Sequence, residues 1–410
     1  MITNIISAIG NNRSVYPLIL RDCGIEVPSK IYITRKENLK ESKTKANDAT
    51  REKFIDEYVT SALWLGGIPF VEKIYNKFIK KNGFNPNTDI KLFKEEEFQG
   101  IKYNINKFKN LAADEIKDLE KFKNNRRTIE KLTAGKFTAA TLIPIALMGF
   151  VLPKLNFALT KKIKDKRKIN DIDKLPKPIM KEFTSNKNVS FTGNWISTIA
   201  NLKTVDKMAV TDGGLTVGRI TTSRNKDEAC VNAFRMIGSM ILNFVTPIYI
   251  AKFLDNSANK IFGLNVNLDP LIIGDKNLIK AIKENSIELP KSSNEKDLFE
   301  FIDSKPKSLF SQMACKQGKV VYLKNGIRDP RKYVDTKDLG NFRNQFENFI
   351  KAAQKSSDIT KFVKKAKFIK GMNIISNVLI SSALLAVALP KLQYGFNKLL
   401  TGSYSDPGLR

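Results

Sequence analysis

The chain has 410 residues and a formal net charge of +29, with 27% charged and 42% hydrophobic residues. Its mean hydropathy of −0.26 excludes a chain made mostly of membrane spans, but allows a few spans set in long polar connections. The sequence contains no histidine, which excludes histidine-based triads, imidazole metal sites and histidine proton relays.

The excess of lysine and arginine has three competing explanations. Anionic lipid headgroups attract basic flanks of membrane segments, and nucleic acids bind the same side chains through their phosphates. A lysine-rich composition inherited from an AT-rich genome is the third. We expect anionic lipid as the partner; nucleic acid is less favoured, and a homo-oligomer stays open.

The three cysteines, Cys23, Cys230 and Cys315, are far apart in the sequence. They form no CxxC pair, so a disulfide framework or a zinc site is not predicted, and we expect buried free thiols. No metal, cofactor or catalytic residue is expected.

The first part of the chain, residues 1–57, is polar. Its beginning lacks a basic region followed by a long apolar core, so no cleaved signal peptide is predicted. Residues 58–71 form the first apolar run. Its 14 residues contain Gly66, Gly67 and Pro69 and are short for a membrane span, so a re-entrant or extended segment is equally compatible with them.

The second apolar run, residues 137–159, is the strongest candidate for a span. Pro144 and Pro153 within it predict kinks, which membrane helices tolerate. The basic sequence KKIKDKRK follows directly and indicates a cytoplasmic flank. A mostly helical connection, residues 82–136, precedes the run.

Residues 166–232 read as a basic linker that contains proline and glycine. Within it, GGLTVGR resembles a phosphate-cradling loop but lacks the spacing of known phosphate-binding motifs. An ordinary turn is the simpler interpretation. The candidate anion-binding residues are Gly213, Gly214, Gly218, Arg219 and Arg224.

The third run, residues 233–254, contains Pro247, and the fourth, residues 374–390, ends at Pro390. Between them, residues 255–370 are polar, with helices expected near 276–285, 295–303 and 338–369. Asn325-Gly326 predicts the tight turn of a small β-hairpin. Residues 403–410 are expected to form a loose tail.

The second and fourth runs resemble each other. Both end in Leu-Pro-Lys-Leu, followed by an aromatic residue and a further lysine. Other short similarities keep the same order in the two halves, which predicts an internal duplication. Lys154 and Lys391 would anchor the repeated helices at the lipid headgroups. The predicted kinks of the four runs are at Pro69, Pro144, Pro153, Pro247 and Pro390.

Two further patterns carry candidate chemistry. Asn85, Asn87 and Asp89 recur as Asn265, Asn267 and Asp269, which resembles the start of a calcium loop but fits a turn or helix cap better.

Carboxylates precede the first and third runs. We expect Asp56-Glu57 and Asp227-Glu228 to pair with Arg51 and Arg224; a proton or substrate relay would require them to face the bundle interior.

The sequence therefore predicts an all-α integral membrane bundle of two duplicated helical hairpins, residues 58–165 and 233–402, the second with a soluble insertion at 255–370. We expect a multi-pass, non-enzymatic scaffold or transport-like protein. The alternative is a soluble or peripheral basic protein that binds nucleic acid or an anionic membrane surface. Ser376, Asn377, Ser381 and Ser382 in the fourth run, and Asn243 in the third, favour that alternative.

Overall fold

A computed structural model describes residues 19–94, 96–170, 204–262 and 267–409. These residues are helical and contain no β-strand. The α-helices, in chain order, are α1 Val27–Leu39, α2 Lys43–Ala62, α3 Ile68–Lys81, α4 Ile101–Phe108, α5 Ala113–Asn124, α6 Arg126–Pro144, α7 Leu152–Asn170, α8 Thr204–Thr221, α9 Lys226–Phe244, α10 Thr246–Phe262, α11 Pro270–Ile273, α12 Lys276–Lys283, α13 Glu295–Ser304, α14 Leu309–Lys316, α15 Thr336–Gln354, α16 Ile359–Ala383 and α17 Leu389–Thr401.

The prediction of an all-α protein is confirmed, and the possible β-hairpin is corrected. The expected turn is present: Gly326 has a positive φ of 84°, and the Leu323 N–H donates to the Ile327 carbonyl at 2.8 Å. The flanking residues form only an isolated bridge between Tyr322 and Arg328. Their side chains instead bind the Ile302 carbonyl and Asp303, which holds this segment against α13.

Four π-helical segments interrupt the α-helices, each ending two residues before a proline. In each case the residue just before the proline donates its N–H to the carbonyl five residues earlier, as Leu152 does to Leu147. Proline has no N–H and its ring clashes with the carbonyl four residues back, so widening the turn removes the conflict without ending the helix. The segments are Leu20–Glu26, Leu63–Gly67, Ile145–Val151 and Leu384–Ala388.

Within the described residues, three helices are long and apolar enough to cross a membrane, judged by length and composition: Arg126–Arg167, Lys226–Ile261 and Ile359–Thr401. They contain the second, third and fourth apolar runs. The first run lies in an uninterrupted helical stretch from residue 43 to 81, but does not meet the same criterion. A single turn residue, Val245, separates α9 from α10.

Contacts divide the chain into two compact units that alternate along the sequence. The described part of the first unit is residues 73–133 and 245–381. Its larger core forms around α15, whose apolar residues recur at helical spacing and face α13 and α14. Asp275, Asn294, Ser308 and Asp335 cap the helices that follow them through side-chain hydrogen bonds, which fixes where each one begins.

The second unit comprises residues 19–72, 134–244 and 382–410. Its helices form two pairs, α1 with α2 and α8 with α9. Helix α7 packs on α2 while its preceding π segment packs on α8; helix α17 packs on α9 while its preceding π segment packs on α1. The expected linker 166–232 therefore supplies α8 and the start of α9 to this bundle; its residues 171–203 lie outside the described part.

The end of the chain is packed rather than loose, which corrects the expected tail. Ser405 and Leu409 are buried, and the Asp406 N–H donates to the Asn38 side chain at 3.1 Å. Glu41 accepts hydrogen bonds from the N–H groups of Tyr404 and Ser405. Composition alone suggested a free terminus because it does not show these partners, which lie on α1 and just beyond its end.

Candidate functional site

Charged side chains fill the interior of the second unit. Helix α2 contributes Glu52, Lys53, Asp56 and Glu57, whose spacing places them on adjoining positions of one helix face. Each of these side chains is less than a fifth exposed. A buried charge costs free energy unless it is paired, so the partners of this row determine what the site can do.

Asp56 is paired with Arg219 of α8. The two groups are 2.5 Å apart, and Arg219 also donates to the Thr60 hydroxyl at 3.0 Å. Burial alone would raise the pKa of Asp56, but the attraction of Arg219 and Arg235 holds it below its usual value. Asp56 is therefore an ionised carboxylate that is already engaged.

Glu57 is shared by two lysines. Lys53 lies 2.7 Å and Lys30 3.4 Å from its carboxylate, and Lys30 also lies 3.6 Å from Glu26. Burial, together with the nearby Arg235 cation, lowers the pKa of Lys53 to about 8. Together with Glu26, this group contains two carboxylates and two ammonium groups, which neutralise one another.

Arg224 and Tyr394 close the network at one end. Arg224 binds Glu52 at 3.0 Å and Glu228 at 2.8 Å, and its guanidinium lies 4.1 Å from the ring centre of Phe157. The Tyr394 hydroxyl donates to Asp406 at 3.2 Å. These groups satisfy each other and leave little capacity for a ligand.

Two cavities lie within this charged interior. The larger has a volume of about 180 Å³ and reaches Trp64, Ser239 and Asn243. The smaller, of about 90 Å³, reaches Pro153 and Asn156. They share five lining residues: Lys53, Asp56, Arg219, Arg235 and Gln393. Polar space of this size inside a helical bundle is suited to water or a small polar solute.

Three polar side chains of the larger cavity lack the partners that their neighbours have. Arg235 makes no hydrogen bond to the described protein; its one ion pair, with Asp56, is 4.0 Å long. Asp212 has no donor to its carboxylate, and burial raises its pKa to about 6. Gln393 is 7% exposed, and its amide forms no hydrogen bond within the described residues.

The predicted anion-binding residues lie on a helix instead of a loop. Gly213, Gly214 and Gly218 belong to α8, and a Cβ on Gly218 would lie 2.9 Å from the Gly149 backbone. Gly214 and Gly218 permit close packing of α8, and Arg219 and Arg224 are engaged by carboxylates. Binding of an anion by this set stays a prediction.

The predicted kinks and anchors fall into two groups. Pro69, Pro153 and Pro390 follow π segments, and the carbonyl of Gly149, four residues before Pro153, accepts from Thr222 at 3.4 Å. Pro144 ends α6 and Pro247 lies in the first turn of α10. Lys154 and Lys391 are both exposed.

The remaining candidates have structural roles. Asn85 accepts from the Asn87 N–H at 3.0 Å, and Asp269 caps α11, as expected for turns and caps; Asn265 is outside the described residues. Glu228 pairs with Arg224 as predicted, but Arg51 binds Asp48 and Thr160 and does not pair with Asp56 or Glu57. Within the described part of the chain, no cluster of three cysteine or acidic residues could hold a metal.

Sequence reasoning missed Lys30, Lys53, Asp212, Arg235 and Gln393. The expectation of buried thiols was wrong for Cys230 and Cys315, which are exposed, and Cys23 is half-buried. A signal was present, because Arg235 interrupts an otherwise apolar run. No family model, curated protein or solved structure matches the chain, so the site has to be interpreted from its own geometry.

Proposed function

We propose that this chain is a multi-pass integral membrane protein whose helical bundle has a non-enzymatic, transport-like role. The outward faces of its three longest apolar helices carry the proposal. None of the residues in the most apolar window of Lys226–Ile261 is buried. Large apolar side chains are exposed along all three: Leu142, Leu147, Leu155, Ile237, Ile241, Ile248, Phe253, Leu379, Ile380 and Leu392.

Several uncharged polar residues of the first and third of these helices face inward, which is the reverse of a soluble bundle. Thr141, Asn156 and Ser381 are buried, and Asn377 donates to the Pro247 carbonyl at 3.4 Å. Isolated exposed apolar residues are common on soluble proteins, but continuous apolar faces mark contact with lipid or a partner. The polar residues of the fourth run therefore do not require a soluble protein.

Contacts within the second unit support a fourth crossing. Arg167, at the end of the first candidate span, binds Asp48 of α2 at 3.2 Å. The start of that span lies on the opposite side of the membrane from Arg167, and hence from Asp48. The chain must then cross once between residues 48 and 126, and the run at 58–71 is the apolar stretch able to do so.

The third candidate span, Ile359–Thr401, ends on the same side of the membrane as Asp48 and Arg167. Asn225, just before the second span, donates to the Pro407 carbonyl at 2.8 Å, just after the third. Asp48, Arg167, Asn225 and Pro407 would thus share one face, with the basic residues after Thr160 marking it as cytoplasmic. Lys154 and Lys391 extend from this end of the bundle towards anionic headgroups.

The two Leu-Pro-Lys-Leu helices support an internal duplication through their equivalent environments. Met148 and Leu385 are buried at matching positions, as are Asn156 and Gln393. Each helix follows a π segment, and each packs on one helix pair while its π segment packs on the other pair. The two carboxylate pairs that precede the first and third runs are not equivalent in the structure: Asp56 and Glu57 lie within the second half of α2, whereas Asp227 and Glu228 lie in the first turn of α9.

Alkaline carbonate extraction tests membrane integration, and thiol labelling tests the number of crossings. The protein should stay in the pellet. Three variants, each retaining only Cys23, Cys230 or Cys315, are reacted with a membrane-impermeant maleimide in sealed vesicles. Four crossings place Cys23 and Cys230 on one side and Cys315 on the other. Three crossings would instead group Cys23 with Cys315 and contradict the fourth span.

Release by carbonate would contradict the integral membrane proposal. It would favour the alternative, a peripheral basic protein held by an anionic surface or nucleic acid, whose binding weakens as salt is raised. The basic character alone is compatible with both. The exposed apolar faces favour the membrane because charge attraction gives no reason for them.

A further inference from the structure

We propose that the larger cavity binds a small zwitterionic solute of the amino-acid class, with its carboxylate on Arg235 and its ammonium group near Asp212. The inference rests on the transport-like function proposed above and names the substrate class. It follows from which buried charges in the cavity already have partners and which do not.

Arg235 is the unmatched cation. Its side chain is 17% exposed and carries five N–H donors, yet none donates to a described residue. The nearest carboxylate, Asp56 at 4.0 Å, is already bound by Arg219 at 2.5 Å. A guanidinium fork matches a carboxylate in two parallel hydrogen bonds, so a solute carboxylate suits it better than a neutral group.

Asp212 is the unmatched anion of the same cavity. Asp56 and Glu57, which line the same cavity, each have a cation within 4 Å. Asp212 has none, although it lines the cavity from α8, the helix that also carries Arg219. A primary ammonium group would supply up to three donors and offset its charge.

Gln393 provides the third contact. Its amide can both donate and accept, is nine-tenths buried, and borders both cavities without a hydrogen bond. Its counterpart in the other Leu-Pro-Lys-Leu helix, Asn156, donates to the Glu52 carbonyl at 2.8 Å. An unpaired buried amide costs free energy that a ligand or water contact removes.

A zwitterion fits the charge balance better than a simple ion. A lone carboxylate would satisfy Arg235 but leave Asp212 unpaired, and a lone amine would do the reverse. A cavity of about 180 Å³ has room for several waters or one small amino acid, but not for a nucleotide.

Calorimetric titration of the purified full-length protein in detergent tests the proposal. The probes are glycine, alanine and γ-aminobutyrate, compared with acetate and methylammonium. At least one amino acid should bind ten-fold or more tightly than either single-charge probe. If acetate binds as tightly as every amino acid, the assignment of a zwitterionic ligand is wrong. If none of the amino acids binds, the cavity is not a binding site for this class of solute.

Substitutions test the two contacts. Arg235→Gln and Asp212→Asn should each weaken amino-acid binding at least ten-fold, whereas the exposed controls Arg127→Gln and Asp227→Asn should not. Unchanged binding in either cavity variant would contradict its assignment. If a variant does not fold, the comparison of probes on the unaltered protein still decides. Carbonate extraction and thiol labelling do not depend on the cavity, so failure here is distinguishable from failure of the membrane proposal.

Discussion

Burial of an arginine does not by itself mark a binding site, as Arg328 in the first unit shows. Arg328 is the largest fully buried side chain there; its Nε donates to Asp303 at 2.8 Å, and the rings of Phe108 and Phe299 lie 5.0 and 4.7 Å from its guanidinium. This arginine has a carboxylate and two aromatic faces. Among the described residues, Arg235 has neither a hydrogen-bonded carboxylate nor any other hydrogen-bond acceptor, and that difference supports the proposed ligand.

Replacing Arg328 should destabilise the first unit strongly. Arg328→Met keeps most of the side-chain volume but removes one partner of a buried ion pair, which costs about 3–5 kcal/mol. Lys107 also contacts Asp303 and reduces the loss toward the lower value. The measurement is the unfolding midpoint, with Lys280→Ala as the control, since that exposed pair is worth less than about 1 kcal/mol. Equal midpoints for the two variants would contradict the structural role.

Two glycines of α8 should respond in opposite directions to the same substitution. Gly213 has open space around a new Cβ, so Gly213→Ala should stabilise the helix by about 1 kcal/mol. Gly218 approaches the Gly149 backbone, so Gly218→Ala should destabilise by about 1–3 kcal/mol because two backbones must separate. Thermal unfolding of both variants gives the sign. A gain in both would show that the helices do not pack as described.

At the scale of the element, the π segments place the cavity side chains. Each π segment lets the helix continue past the proline two residues later and rotates the part beyond it, and Gln393 and Asn156 lie three residues beyond Pro390 and Pro153. Both amides consequently face the interior, whereas the lysines at 154 and 391 face outward. In both Leu-Pro-Lys-Leu helices the motif therefore orients one buried amide.

The proposed duplication predicts matched responses of the two Leu-Pro-Lys-Leu helices. Each of the substitutions Pro153→Ala and Pro390→Ala raises the conformational entropy of the unfolded chain and removes contacts of a buried ring. Each should therefore lower the free energy of unfolding by about 1 kcal/mol or more. The two losses should agree within about 0.5 kcal/mol, and Lys154→Gln should change little because its side chain is exposed. Denaturant midpoints provide the comparison. A large loss in one repeat and none in the other would weigh against equivalent roles.

Helix positions were predictable where caps and apolar spacing agreed. The expected helices near 276–285 and 295–303 are observed as α12 and α13, each begun by a capping side chain. The buried role of the charged residues of α2 was not predictable. Glu52, Lys53, Asp56 and Glu57 have the spacing of a solvated face, and only their partners on α1, α8 and α9 show that this face is interior.

For the molecule as a whole, the second unit combines an apolar exterior with a charged interior. Buried ion pairs add little net stability compared with apolar packing, so a core built from them is a poor choice for stability alone. In a membrane, ionisable groups facing a bundle interior mark a polar pathway or binding site. The charged row of α2, the cavity and the outward apolar faces therefore form one consistent arrangement.

The pH dependence of stability should report the unpaired carboxyl of Asp212. Its pKa of about 6 lies above the value in the unfolded chain because the group is buried without a partner. The folded protein thus binds the carboxyl proton of Asp212 more tightly than the unfolded chain does. The stability that this proton contributes is present at low pH and is lost as pH rises to about 6. The other charged groups of the cavity are the same in the unaltered protein and in an Asp212→Asn variant: Asp22, Glu26, Lys30, Lys53, Asp56, Glu57, Arg219 and Arg235.

Asp212→Asn should therefore raise the unfolding midpoint above about pH 6 and change it little below about pH 4, with the difference growing between these two values. Unfolding is followed for both proteins in detergent between about pH 3.5 and 8, and the difference between them cancels the titration of Lys53. Asp227→Asn, an exposed change at the start of α9, should give a flat difference. A flat difference for Asp212→Asn as well would mean that this carboxyl is not held unpaired; a rising one fits a group whose charge a bound ammonium would offset.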